Sequence, residues 1–154
     1  MAASPASYNR LQEKCNEGTR GVPCIGTVYL NALPPDTDVN ALAKEQCRLF
    51  LDGKSIQNCQ QTWNLILDKA APLDQEAVFK SLTQPEDFQV ELVIGQLKEN
   101  YFWEDEQLLK DNFLSANIDH FQLYQAGDGE QIQGVALMAT LKSKDAIGLF
   151  YFVD

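Results

Sequence analysis

The spacing of apolar and polar residues predicts a helix and a shorter apolar element near the start of the chain. Apolar residues recur at intervals of three and four over 7–17, which is typical of one face of a short helix. Residues 24–33 are apolar and partly β-branched, and their pattern fits a strand and a buried helical turn equally well. Pro34 and Pro35 end that element, because proline cannot continue it. The apolar face of the first helix consists of Tyr8, Leu11 and Cys15.

Helical spacing continues through the next fifty residues and predicts three more helices between 36 and 84. Aspartate, threonine and serine stand where N-caps are needed, while Gly53 and Pro85 stand where helices stop. The second of these helices carries Ile56, Cys59 and Trp63 on its apolar side. The predicted bounds are 36–52, 55–71 and 74–84.

The pattern then changes to one that predicts mostly strands. Alternating apolar residues from Phe88 to Ile94 indicate a strand, and helical spacing returns only over 103–114. Asp128-Gly129 is a hairpin signal between two later strands. The last three predicted strands cover 118–126, 131–141 and 147–153. The expected fold is therefore α+β, with an N-terminal helical layer packed on a C-terminal antiparallel sheet of about four strands.

The chain length of 154 residues is typical of a single domain. We expect one domain over 1–154, in which 1–7 are disordered, 8–84 are mainly helical and 85–154 are mainly β. The last strand, 147–153, is apolar on both faces, so each face needs a cover. Helices can supply one cover, and a second layer, a ligand cavity or a partner must supply the other.

Cysteine is confined to the first 59 residues and is present there four times. An even number without C-x-x-C spacing favours disulfides over a zinc site, and proximity favours the pairs 15–24 and 47–59. Such bonds imply a periplasmic or secreted protein whose signal peptide has been removed, whereas reduced thiols imply the cytoplasm. The residues concerned are Cys15, Cys24, Cys47 and Cys59.

Charge is distributed unevenly along the chain. Lys/Arg and Asp/Glu balance over 1–59, whereas 60–154 carry the whole net charge of −10. An acidic half of this kind repels nucleic acid and anionic membranes, and it favours a basic protein as partner. No apolar run reaches the roughly 18 residues of a membrane span, so membrane insertion is not expected.

The residues that carry chemistry do not form a recognisable catalytic or metal-binding motif. Asp36-x-Asp38-x-Asn40 begins like an EF-hand loop, but Ala41 and Cys47 stand where that loop needs glycine and glutamate. His120 is the only histidine, so it is the only candidate base for a cysteine nucleophile such as Cys24. The sequence contains no phosphate-binding loop or nucleophile elbow. We predict no catalytic residues, no metal and no cofactor.

The strongest candidate for a binding surface is an aromatic and acidic stretch at 101–106. Three consecutive aromatic side chains cannot all face one core, so at least one is expected at the surface with acids around it. Exposed aromatic residues with a charged rim are typical of interface anchors. The sequence thus predicts a non-enzymatic binding protein, of the inhibitor, immunity or accessory-subunit kind, or alternatively a small-ligand module with a pocket between a curved sheet and helices. The predicted partner-binding residues are Tyr101, Phe102, Trp103, Glu104, Asp105 and Glu106.

Overall fold

A computed structural model describes residues 6–15, 23–97 and 106–154 of the chain. It has the predicted α+β architecture, but the antiparallel sheet has five strands instead of about four. Of the residues expected to be disordered, 1–5 lie outside the described part, while Ala6 and Ser7 begin the first helix. The elements are α1 (Ala6–Cys15), β1 (Cys24–Leu30), α2 (Val39–Gly53), β2 (Thr62–Ala70), α3 (Gln75–Thr83), α4 (Phe88–Leu97), α5 (Glu106–Phe113), β3 (Ile118–Gly127), β4 (Gln133–Leu141) and β5 (Ala146–Val153).

The sheet has the strand order β1-β5-β4-β3-β2, and every neighbouring pair is antiparallel. The last three strands form two consecutive hairpins at its centre. The first hairpin turn is anchored by Asp128, whose carboxylate accepts hydrogen bonds from the backbone N–H groups of Glu130, Gln131 and Ile132. Both strands from the first half of the chain therefore become edge strands, with β1 beside β5 and β2 beside β3.

Helices cover both faces of the sheet. Strand β5 is apolar on both faces, so each of its faces is shielded from water in this way. Every residue of β5 is buried, and side chains alternate between two apolar clusters on opposite faces. One cluster lies under α2 and includes Phe150 and Phe152 of β5. The other cluster includes Leu149 and Tyr151 and is covered by α1, α4 and α5, with α3 packed on α4.

The predicted caps and helical faces explain why α1, α2 and α3 form where they do. In α1 the predicted face of Tyr8, Leu11 and Cys15 is the buried one. Asp38 caps α2 by accepting a hydrogen bond from the Ala41 N–H at 3.2 Å. Asp74 caps α3 in the same way, accepting from the Ala77 N–H at 3.1 Å. Each cap satisfies one of the N–H groups that a helix start leaves unpaired.

The helix predicted over 55–71 is wrong, because this segment contains strand β2. Thr62–Ala70 pairs with β3 along its length, with a bulge between Leu65 and Leu67. Thr62, Trp63 and Ile66 favour strands, and pairing with β3 overrides the helical spacing of the segment. The helical layer of the first half is therefore interrupted by two strands.

The strand predicted over 88–94 is also wrong, because this segment is helix α4. Asp87 caps it, since its carboxylate accepts hydrogen bonds from the N–H groups of Gln89 and Val90 at 2.9 and 3.2 Å. The buried side chains follow helical spacing, so the alternation seen in the sequence is incidental. They are Val90, Val93, Ile94 and Leu97.

Candidate protein-interaction surface

The aromatic and acidic stretch at 101–106 lies almost wholly outside the described residues. Only Glu106 falls within them, as the first residue of α5, and its side chain is not described. The prediction that this stretch binds a partner therefore stays a prediction. The residues outside the described part are Tyr101, Phe102, Trp103, Glu104 and Asp105.

None of the four cysteines forms a disulfide, so the prediction of two disulfide bonds is wrong. Cys15 lies in the cluster under α1, whereas Cys24 faces the α2 side of the sheet, which keeps the first predicted pair on opposite faces. Cys47 and Cys59 share the α2 cluster with Cys24, but no bond joins them. Sequence proximity favoured the pair 15–24, but it carries no information on which face of the sheet each side chain occupies.

Burial makes the three thiols in the α2 cluster poor nucleophiles. It raises the pKa of Cys24 and of Cys59 to about 11, and it raises the pKa of Cys47 further. The thiolate is the reactive form, and a raised pKa leaves little of it near neutral pH. The three cysteines under α2 therefore act as small apolar core residues.

The exposed side of α4 carries the most accessible large apolar residue that the structure describes. Phe88 is 68% exposed, and Leu92, one helical turn further along, is 47% exposed. The two side chains share one face of the helix because they are four residues apart. That face is opposite the buried residues of α4. A Cβ at Gly95 would meet nothing within 4 Å, so this face also stays open toward the C-terminal end of the helix.

Acidic residues surround this apolar pair. Glu86 and Asp87 immediately precede α4, and Glu91 lies three residues from Phe88 on the same helix. Glu86 and Glu91 are exposed. An acid three residues away is a direct neighbour on a helix surface. We refer to Glu86, Asp87, Phe88, Glu91 and Leu92 together as the α4 surface.

An open groove lies beside the α4 surface at the outer edge of β2. It has a volume of about 550 Å³ and runs between the bulged part of β2 and the turn that joins α3 to α4. Glu86 and Asp87 line it, so the acidic rim of the α4 surface continues into the groove. The remaining lining residues are Leu65, Ile66, Leu67, Lys69, Ser81, Gln84 and Pro85.

A polar pair on the sheet is the nearest arrangement to catalytic chemistry in the described residues. The His120 Nε2 atom hydrogen-bonds the Asp68 carboxylate across β3 and β2, and both side chains are partly exposed. The nearby Tyr124 is buried, and burial together with the charges of Asp68 and Asp38 raises its pKa to about 12. A phenol that stays protonated serves here as a donor, since it hydrogen-bonds the Gln122 side chain.

The strand register separates Cys24 from His120. Cys24 pairs with Phe152 at one end of the sheet, while His120 pairs with Thr140, which in turn pairs with Ala146 at the other end. These two rows are six residues apart along β5, which corresponds to roughly 20 Å along the strand. The cysteine and the histidine therefore do not assemble into a nucleophile and base.

Neither a metal site nor a membrane span is evident in the part of the chain that the structure describes. Within 6–15, 23–97 and 106–154, no three His, Cys, Asp or Glu side chains are grouped so as to hold a metal ion. None of the helices described there has the length and apolar character needed to cross a bilayer.

Sequence reasoning missed the α4 surface because it assigned this segment to a strand. The signal was present, since Asp87 stands at an N-cap position and Phe88 and Leu92 are four residues apart.

A comparison with protein-family models finds no family that matches the chain, and a search of curated proteins finds no match either.

Proposed function

We propose that this protein is a non-enzymatic protein-binding protein that engages a basic partner through the α4 surface. The observation that carries the proposal is the 68% exposure of Phe88 within a rim of acidic residues. The proposal keeps the class of function expected from the sequence, but it places the apolar side chain that the partner binds on α4 instead of at 101–106.

The apolar part of the surface supplies the affinity in this proposal. Burying an exposed phenylalanine side chain contributes roughly 1.5–3 kcal/mol. Leu92 extends the same contact, and Gly95 leaves room for a partner side chain beside it. Interfaces commonly depend on a few such central anchors, with the surrounding contacts serving to exclude water.

The charged part of the surface supplies steering and selectivity. Glu86, Asp87 and Glu91 belong to the acidic half of the chain, which carries the whole net charge of −10. A partner with lysine or arginine beside an apolar side chain would meet opposite charge on approach, whereas an acidic partner would be repelled. The same charge favours a protein over nucleic acid as the ligand.

The location stays a prediction, and of the two that the sequence allows we propose the reducing alternative, a cytoplasmic protein. The proposal is supported by the lack of a disulfide between the four cysteines, because disulfides are rare in that compartment.

Selection from a random peptide library displayed on phage tests the proposed function directly. We expect enriched peptides to combine lysine or arginine with an aromatic or aliphatic residue. A synthetic copy of an enriched peptide should bind Phe88→Ala about tenfold more weakly than the unaltered protein, which corresponds to about 1.4 kcal/mol.

Leu49→Ala is the matched control, because Leu49 is a 49% exposed leucine on α2 and not on α4. It should leave peptide affinity unchanged. Enrichment of peptides without basic residues, or equal binding by Phe88→Ala, would reject the proposal.

The small-ligand module stays a prediction. The opening that such a ligand would use has a volume of about 400 Å³ and lies between α1, α2 and β1. The central strands are packed on both faces, so this space lies at the edge of the sheet and not beneath it.

A further inference from the structure

The two edges of the sheet differ in how well they resist pairing with another strand. The edge strand β2 has a bulge between Leu65 and Leu67 and carries Asp68 and Lys69. Bulges and charges are the devices by which proteins protect a sheet edge. The other edge strand, β1, has the sequence CIGTVYL and pairs without a register shift to β5. It has neither device.

Cys24 and Ile25 are buried, and the rest of β1 is partly buried. In the described part of the chain a groove of about 400 Å³ lies beside residues 25–28, with α1 on one side and α2 on the other. Ile25, Val28 and Phe50 give the groove apolar walls, and Leu49 at its rim is 49% exposed. Among the described residues that line it, Lys54 is the only charged one.

The charge distribution favours the neutral part of the chain as the place where two copies can meet. Residues 1–59 contain six basic and six acidic residues, whereas residues 60–154 carry the net charge of −10. Two copies of the chain repel each other when their acidic halves meet. They can approach through β1, α1 and α2, which all belong to the neutral part.

The sequence of β1 is also compatible with pairing to itself. A two-fold axis at Thr27 would place two β1 strands antiparallel, with Gly26 opposite Val28 and Ile25 opposite Tyr29. Every cross-strand pair then joins uncharged residues, and each glycine faces a branched side chain. A closed two-fold interface requires a self-complementary patch of this kind.

We propose that two copies of this protein form a symmetric dimer in which β1 pairs antiparallel with β1 of the second copy. The pairing joins two five-stranded sheets into one of ten strands and covers the groove beside Leu49. The α4 surface contributes no residue to this groove, so it stays available to a different partner. The proposed dimer and the proposed function are therefore independent, and each can be tested without the other.

Sedimentation equilibrium of the full chain tests the proposal. We expect the mass to rise from 17.3 kDa toward twice that value as the concentration increases to about 200 µM. Val28→Lys places a charge at the centre of the edge and should raise the dimer dissociation constant at least tenfold. Leu49→Lys changes an exposed residue at the groove rim and should act in the same direction even where Val28→Lys fails to fold.

Leu65→Lys is the matched control, because it adds the same charge to the opposite edge of the sheet at a 43% exposed leucine. It should leave dimerisation unchanged. Hydrogen exchange of the amides over 24–30 should slow as the concentration rises, because pairing protects outward-facing N–H groups. A mass that stays at one chain across the whole range would overturn the proposal. So would a dimer that Leu65→Lys dissociates and Leu49→Lys does not.

Discussion

The aromatic ring of Phe50 lies over the backbone of Gly26, in the space that a side chain at that position would occupy. Phe50 projects from α2, and Gly26 lies in the edge strand β1. The same ring stacks on Phe150 at 5.6 Å between centroids and on Phe152 at 6.3 Å. Glycine at position 26 thus lets α2 approach the sheet closely enough for the three rings to pack together.

Gly26→Ala should destabilise the protein by about 1–3 kcal/mol, because the added methyl group overlaps the Phe50 ring and overpacks this contact. Urea unfolding measures the change in the free energy of unfolding. Gly95→Ala is the control, since a Cβ there meets nothing within 4 Å and alanine favours the interior of α4. It should stabilise by roughly 0.5–1 kcal/mol. Equal effects at the two positions would contradict the close contact.

Local signals predicted the helices that carry clear caps and the final hairpins. Asp38 and Asp74 cap α2 and α3 as expected, and Asp128 anchors the turn between β3 and β4. These features depend on residues within four positions of each other, so one sequence contains the information. The face of α1 was predictable for the same reason.

Of the two elements that were predicted wrongly, β2 depends on contacts between distant parts of the chain. Trp63 fits a helical stripe, yet β2 forms because β3, about sixty residues later, supplies its pairing partner. α4 shows the opposite error, since alternation over 88–94 indicated a strand. The exposure of Phe88 becomes evident only once the segment is known to be helical. The wrong strand assignment therefore also hid the α4 surface.

Removing either helix cap should cost about 1 kcal/mol of stability. Asp38→Ala and Asp74→Ala each leave an N–H group of the first helical turn without its side-chain acceptor. Thermal unfolding of the two variants tests this. Asp36→Ala serves as control, because Asp36 precedes α2 without acting as its cap. A loss of the same size for Asp36→Ala would show that general charge, and not capping, stabilises the helix.

Stability should fall as the pH rises from about 9 to about 11. The folded pKa of Cys24 and of Cys59 is about 11, while the ordinary value is 9.0. A raised folded pKa means that the unfolded chain loses its thiol protons first, so alkali favours unfolding. The stabilisation that the two protonated thiols contribute is complete below about pH 9 and is lost as the pH rises through about 11. Urea unfolding at several pH values measures it.

The double variant Cys24→Ala/Cys59→Ala should show a shallower decline over the same pH range, since it lacks two of the three cysteines whose pKa is raised by burial and retains only Cys47. An equally steep decline in the double variant would mean that other groups, such as tyrosines, cause the loss.

The association rate of a basic library-selected peptide, measured at low and high salt, tests the proposed function most directly. Glu86→Lys/Glu91→Lys reverses two exposed charges of the α4 surface and spares the Asp87 cap. We predict association at least tenfold slower at low salt, with the two proteins converging at high salt, because salt screens exposed charges. Equal association rates for the two proteins at every salt concentration would contradict electrostatic recognition at this surface.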